Sequence, residues 1–414
     1  MNKYILFGAG SAARRVFYSL SGLMESVECF VDSNPIRKEF MGRRVCRPEI
    51  IRQLYGRGKG IGIVISAPSA KNEIYSSLVG ELGVSPKDIH ELNEWIASII
   101  LDGRIQIRPH KIRLEASTLC QLDCAGCYMR KGNYGSMGGG YLKFQDFART
   151  MDDNPFLHEV ELSNSGEPFM NPELEQILDY AYLRNIDLMM VGGANFNTVP
   201  DEILEKLAKY EFRHIVCAID GGSQETYGAY RRKGDFFKVI DNIRKLNRWK
   251  AFYHTEYPKL TWAYVLLEQN EKDIEKAKAL AEELGMDIRF KLDWSGSFHP
   301  KNPEKVKEIC GIDAVNIGEF INHEQKAYMS DICRQMIYSP QVNWDGRLLG
   351  CCAVYQRDWG TNVFEEGFLS ALNTLPYKKA VQSLLVSERM EEGMPCELCH
   401  RYQTNHAYGY RMEL

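Results

Sequence analysis

Apolar positions in the first hundred residues alternate between two periods. Lys3–Phe7 (KYILF), Val27–Val31 (VECFV) and Gly60–Ser66 (GIGIVIS) are short, nearly continuous apolar runs, as strands buried on both faces require. Between the first two, Val16, Leu20, Leu23 and Met24 recur at i, i+4, i+7 and i+8, one helical stripe. Strands separated by helical patterns predict parallel βαβ units. Gly103–Lys111 (GRIQIRPHK) is polar and contains a proline, which predicts a linker. From Ile112 to about Trp294 the alternation resumes, with candidate strands IRLEAS, VELSNS, IDLMMVGG, HIVCAID, LTWAYVLL and DIRFKL. Six strands with helices between most of them predict a (β/α)₆ partial barrel, its chemistry at the carboxyl ends of the strands. A second linker is expected at Ser295–Pro303. The last hundred residues have weaker periodicity and five cysteines, which predicts a metal core in place of part of the hydrophobic one.

Composition narrows the class. The chain has 414 residues, 44% hydrophobic and 26% charged, so it is globular and long enough for two or three domains. With 51 basic and 55 acidic side chains the net charge is −4, which gives no basic excess for a nucleic-acid partner. No apolar stretch approaches the roughly 18 residues of a membrane span. The start, MNKYILFGAGSAARR, enters a strand directly and lacks the regions of a signal peptide. The expected location is the cytoplasm, where the 12 cysteines read as metal ligands or reactive thiols before disulfides.

Between the first strand and its helix lies Gly8-Ala9-Gly10-Ser11-Ala12-Ala13, a G-x-G-x-x-A loop. Its glycines permit a tight turn, Ala13 lets helix meet strand, and the helix N-terminus attracts phosphate. Asp32 ends the second strand, where an acid accepts ribose hydroxyls. Gly8, Gly10, Ala13 and Asp32 are therefore candidate nucleotide contacts. A module of this fold that binds nothing reads equally well from the same residues. The run FVDSNPIRKEFMGRRVCRPEII resembles a small Rossmann-like module of polysaccharide and nucleotide-sugar biosynthesis proteins, which implies a nucleotide-linked sugar.

Cys120, Cys124 and Cys127, spaced C-x₃-C-x₂-C after a strand, can bind three irons of a cubane cluster and leave the fourth open to a chelating small molecule. Zinc is the competing reading, but the spacing lacks the paired symmetry of a zinc ribbon and no nearby histidine completes it. With these cysteines the chain resembles the radical S-adenosylmethionine (SAM) superfamily. Ser165-Gly166-Glu167-Pro168 is similar to the family's GGEP element, which holds the methionyl amino group of SAM. VGGANFN, with Asn195, sits where the family has a turn near the ribose. AIDGGSQETYGAYRRKGDFFKVIDNI resembles the family's IDG…ETY…R…G-F…NI segment, which makes Arg231 the candidate partner of the SAM carboxylate. LLEQNEKDI resembles the next strand end, with Asn270 expected to face the site. One departure stands out: the family often has an aromatic before the third cysteine, and here that residue is Gly126.

The C-terminal segment resembles the SPASM/twitch domain, with its Asp345-Gly346 turn and the stretch GTNVFEEGFLSALNT. The resemblance implies an auxiliary [4Fe–4S] cluster on Cys333, Cys351, Cys396 and Cys399, serving electron transfer or architecture. A structural Cys₄ zinc site remains open. Cys310 and Cys352 are candidate hydrogen-atom donors to a substrate radical. Together these readings give an α/β fold: a Rossmann-like domain at 1–103, a radical SAM partial barrel at 110–300 and a SPASM/twitch-like Fe–S domain at 325–414.

The resemblance implies an enzyme with two [4Fe–4S] clusters and SAM that forms a 5′-deoxyadenosyl radical, reduced by a donor such as flavodoxin or ferredoxin. The N-terminal module points to a carbohydrate or nucleotide-linked substrate undergoing oxidation, dehydration or epimerisation. The alternative is a maturase of a ribosomally made peptide. A non-enzyme reading, a zinc-stabilised nucleotide-sensing scaffold, leaves the ordered SGEP, IDGGSQETY and NEKDI segments unexplained.

Overall fold

The computed structural model describes residues 3–56, 60–353 and 357–414. Its first hundred residues form a six-stranded sheet of β1 (Tyr4–Phe7), β2 (Val27–Val31), β3 (Glu39–Phe40), β4 (Arg43–Cys46), β5 (Gly62–Ile65) and β6 (Ile89–Glu91). The order is β3-β4-β2-β1-β5-β6, parallel except where β3 meets β4. Alternate residues of the central strands enter different core clusters, Ile5 and Phe7 on one side and Leu6 on the other, which is why these strands read as continuous apolar runs. The order of strand addition reverses between β1 and β5, where open α/β sheets keep their ligand crevice.

The Val16–Met24 stripe is not one helix. Helix α1 (Ser11–Ser19) stops, and Leu20–Ser21 pairs antiparallel with Gln106–Ile107. Gly22 has φ +87°, and a Cβ there would lie 2.1 Å from the Arg104 carbonyl oxygen. The expected linker at 103–111 is accordingly a packed strap. Ile105 and Ile107 are buried, and the Asn373 amide brackets both backbone polar groups of Ile107 at 2.8 and 3.0 Å. A further helix, α2 (Leu92–Ile99), closes this part.

The barrel strands are β7 (Lys111–Leu114), β8 (Glu159–Glu161), β9 (Asp187–Ala194), β10 (His214–Ala218), β11 (Lys259–Val265) and β12 (Asp287–Lys291), parallel and adjacent in chain order. Their outward residues, among them Leu114, Leu162, Met190, Cys217 and Trp262, join the main core. Arg113, Glu115, Glu161 and Ser163 are buried on the opposite face, so the barrel interior is polar. Inward carboxylates take backbone N–H groups near the carboxyl ends of the strands. Glu115 accepts from Ser165 N at 3.0 Å, Glu161 from Val191 N at 2.9 Å and Asp220 from Val265 N at 2.7 Å. Between the strands lie α3 (Gln224–Tyr230) and, after β12, α4 (Pro303–Cys310).

The C-terminal segment adds a seventh strand, β13 (Gln341–Val342), parallel to β7, where six had been expected. Two residues are too few to show a period. The last hundred residues also keep an apolar core: Phe368, Leu372, Tyr377 and Val381 are buried in the cluster that runs from Leu6 to Leu414. Helix α5 (Leu375–Val386) packs on α2, and Asn93 Nδ2 donates to the Leu385 and Met412 carbonyls at 3.2 and 2.6 Å. Helix α6 (His400–Ala407) follows the last cysteine. Among the described residues no helix is long and apolar enough to cross a membrane.

Candidate functional site

The three-cysteine loop is held from both sides at the barrel mouth. Asp123 N donates to Arg232 O and Ala125 N to Tyr230 O, each at 3.0 Å, so the loop pairs with the end of α3. Arg130 closes it on Asp123 at 2.7 Å. Cys120 is exposed, Cys124 buried and Cys127 intermediate. Donors face two of the sulfurs: Asn195 Nδ2 lies 3.8 Å from Cys120 Sγ and Arg231 Nη1 lies 3.6 Å from Cys124 Sγ. Burial raises the Cys124 thiol pKa and the Arg231 charge opposes it. Such donors suit sulfurs that carry negative charge on a metal.

Gly126 is explained by its neighbour. A Cβ there would meet the Tyr230 hydroxyl at 2.8 Å, so the aromatic absent from position 126 comes from the opposite segment. Tyr230 packs with Cys124, Leu122 and Val265, and Phe298 meets its ring edge-on at 6.2 Å.

Ser165–Pro168 crosses directly over the start of the cysteine loop. Glu167 N donates to Leu119 O at 2.8 Å, and a Cβ on Gly166 would lie 2.2 Å from Ser117 O, so only glycine permits the crossing. The Glu167 carboxylate accepts from Asn195 N at 2.7 Å and Phe169 N at 3.3 Å, which leaves lone pairs for an ammonium. Burial pushes Glu167 and Glu115 up to about 7, against the backbone N–H groups that favour their ionised forms. Ser165 Oγ and the Tyr128 hydroxyl lie 2.7 Å apart. Arg231 pairs through Nε with the buried Asp220 at 2.6 Å.

Asn270 does not face the site. Its amide donates to Asp220 O and Val265 O at 2.9 and 2.8 Å and accepts from Leu267 N at 3.0 Å, so every polar atom locks the end of β11.

Residues 114–281 match the family model of the radical SAM superfamily. Those residues, the barrel of this chain, are a radical SAM domain. A curated relative, mycofactocin maturase MftC of Mycolicibacterium smegmatis, is 21% identical over 180 residues, 42% of each protein. The chain thus spans about two fifths of that relative's length. SuiB of Streptococcus suis, solved with S-adenosylmethionine, shares the fold at TM-score 0.53 and 14% identity, over 82% of this chain and 83% of that one. Its complex with precursor peptide SuiA gives TM-score 0.53 at 14% identity, over 84% and 88%.

A radical SAM domain implies a [4Fe–4S] cluster and SAM, and the sulfur-facing donors and the Glu167 turn fit those groups. Among the described residues no three His, Cys, Asp or Glu side chains converge on one ion position; a cubane instead spaces its thiolates around several irons. Sequence reasoning missed Glu115, Glu161, Asp220 and Tyr230. The first two were legible as acidic residues inside apolar runs.

In the C-terminal part, Cys333, Cys351, Cys396 and Cys399 come from three segments into mutual electrostatic range. Gly346, φ +89°, makes the turn before Cys351, and a Cβ there would lie 2.2 Å from Asn362 Oδ1. Cys352, with its backbone N–H on Gln335 Oε1 at 2.8 Å, lies in electrostatic range of Tyr128 and Lys291 at the barrel mouth. Cys310 is elsewhere. It ends α4 on the outside of the barrel, beside Lys278 and Glu275, so the structure does not bring it to the mouth as a hydrogen-atom donor.

In the N-terminal sheet, Gly8 has φ +120° and Gly10 precedes α1, with the buried Ala13 against β1. Asp32 follows β2, its carboxylate accepting from Asn34 N at 2.9 Å. All four nucleotide candidates thus gather at the end of the sheet where the strand order reverses.

Proposed function

We propose that Cys120, Cys124 and Cys127 hold the [4Fe–4S] cluster, that Ser165–Pro168, Asn195 and Arg231 surround SAM, and that the substrate is a ribosomally made peptide. Kinship carries the substrate reading: MftC is a maturase, and SuiB binds the precursor peptide SuiA. When bound and reduced, the cluster supplies the electron that splits SAM into methionine and a 5′-deoxyadenosyl radical, which takes hydrogen from carbon. The chain's own work is positioning. Glu167 meets the methionyl ammonium, Arg231 its carboxylate, and the paired cysteine loop and Tyr230 keep water from the reacting carbon. Cys333, Cys351, Cys396 and Cys399 hold a second [4Fe–4S] cluster that relays electrons or braces the fold. Cys352 is the thiol poised to return a hydrogen atom.

A second reading, a nucleotide-linked carbohydrate, is favoured by the Gly8–Ala13 loop at the start of α1. Anaerobic reconstitution should give about eight irons per chain from two cubanes. Dithionite and SAM should then yield 5′-deoxyadenosine, lost in Cys124→Ala and kept in part in Cys396→Ala. Zinc in place of iron and no deoxyadenosine would sink the radical chemistry. Deuterium passing into 5′-deoxyadenosine from a deuterated peptide encoded beside the gene supports the maturase reading; transfer only from a deuterated nucleotide sugar reverses the ranking.

A further inference from the structure

The barrel interior is divided by charge. On the side of β7 and β8, cations face carboxylates: Lys111 lies 3.5 Å from Glu159, and Arg113 lies 4.0 Å from Glu161 and donates to Gln341 Oε1 at 3.0 Å. On the far side, β12, the edge strand, carries Arg289, exposed, and Lys291, half-buried, on its inner face. Register fixes their direction, since Arg289 pairs with Ala263 and Lys291 with Val265, whose side chain packs beneath the cysteine loop. Their charges act inward as well: Arg289 lowers the His214 imidazole pKa, after desolvation the largest cause, and Lys291 senses Asp220 and Arg231.

Neither cation forms a hydrogen bond or an ion pair with any described residue. Asp287 shares their face of β12 but pairs with neither, and Asp220 deeper in the barrel has its oxygens taken by Val265 N and Arg231 Nε at 2.7 and 2.6 Å. Desolvation lowers the Lys291 pKa, so its ammonium is held there at a cost. The wall beside the two cations carries Ala218 and Ala263, register partners with small side chains. Paired cations on one side and unpaired cations beside alanines on the other leave uncompensated positive charge in the barrel, with Lys291 in electrostatic range of Cys352.

We propose that Arg289 and Lys291 hold an anionic group of the substrate, a carboxylate or a phosphate, inside the barrel. This rests on the radical SAM reading of the same barrel and adds the chemistry its substrate must carry. A guanidinium fork and an ammonium two residues apart on one strand face grip one oxyanion from two sides. That grip orients the carbon that loses hydrogen. The group's source is an acidic side chain of a peptide or the phosphate of a nucleotide-linked sugar.

The test is calorimetric titration of reconstituted, SAM-loaded full-length protein with triglutamate and with inorganic pyrophosphate. The proposal expects at least one probe to bind, and Arg289→Gln/Lys291→Gln to weaken it at least tenfold, with iron content unchanged as the folding control. Lys291→Gln alone should weaken it in part, and Lys291→Arg should recover most of the loss. Triglutamate alone binding assigns a carboxylate, and pyrophosphate alone a phosphate. Equal binding by wild type and the double variant, or no binding of either probe to wild type, overturns the proposal. Because no radical step is read, this failure is separate from loss of iron or of deoxyadenosine formation.

Discussion

A ring that the superfamily often places before its third cysteine is supplied here by Tyr230, which occupies the space above Gly126. The two positions are therefore coupled. Gly126→Phe should lose most of the iron bound by the cysteine loop, and adding Tyr230→Ala should restore it; iron and sulfide analysis reads both. Arg231 is the other coupled residue, shared between Asp220 and Cys124. Arg231→Lys keeps the charge but not the fork, and loss of a charge-assisted bond of about 1.5–3 kcal/mol should weaken SAM binding ~10–100-fold by equilibrium dialysis. Glu115 gives a pH dependence. Its carboxyl is raised from 4.5 to about 7 by burial, so the unfolded chain ionises first as pH rises. The stability it contributes is complete below about pH 4.5 and lost as pH climbs through about 7, up to ~3 kcal/mol. Glu167, raised to about 7 for the same reason, adds the same sign. Glu115→Gln should remove about half of the fall in urea midpoint between pH 5 and 8.

At the scale of elements, the ends of the barrel strands are built by inward acids rather than by the ladder itself. Glu115 takes a backbone N–H from the turn after β8, and Glu161 and Asp220 take one from within β9 and from the last residue of β11. The alternation in IRLE and VELS therefore marks site architecture as well as strand period. Asn270 belongs to this layer, with three bonds of 2.8 to 3.0 Å at the end of β11. Asn270→Ala leaves buried groups unpaired and should cost ~2–4 kcal/mol in urea unfolding. SAM affinity of the folded protein should move far less than in Arg231→Lys. If affinity fell as far, Asn270 would be a SAM contact after all.

At the scale of the whole molecule, the three parts share one core. Helix α5 of the C-terminal part covers α2 of the first, and Lys378 Nζ reaches the Ile105 carbonyl in the strap between the first part and the barrel. Removing residues 1–103 would uncover Val381 and Leu385, so that truncation should aggregate on size exclusion and bind little iron. The N-terminal loop is better probed in the intact chain, with Gly10→Val and Asp32→Ala read by nucleotide affinity at normal iron content.

Local pattern and spacing made much of this protein legible. Short apolar runs separated by helical patterns announced both sheets, because central parallel strands are buried on both faces. The cysteine triplet was legible as a candidate cluster loop, because one short loop carries all three thiols. What pattern could not show depends on residues far apart in the chain. The strap at 103–111 reads as polar until Ile105 and Ile107 find partners some 270 residues later, in Lys378 and Asn373. Asn270 and Cys310 sit in suggestive positions, yet packing turns one into a strand lock and puts the other outside the barrel. Tyr230 over Gly126, and two cations without partners beside Ala218 and Ala263, exist only once the strands stand side by side. Sequence determined which faces are apolar and which loops carry thiols; tertiary structure decided which polar groups meet, because a hydrogen bond or an ion pair depends on distance in space.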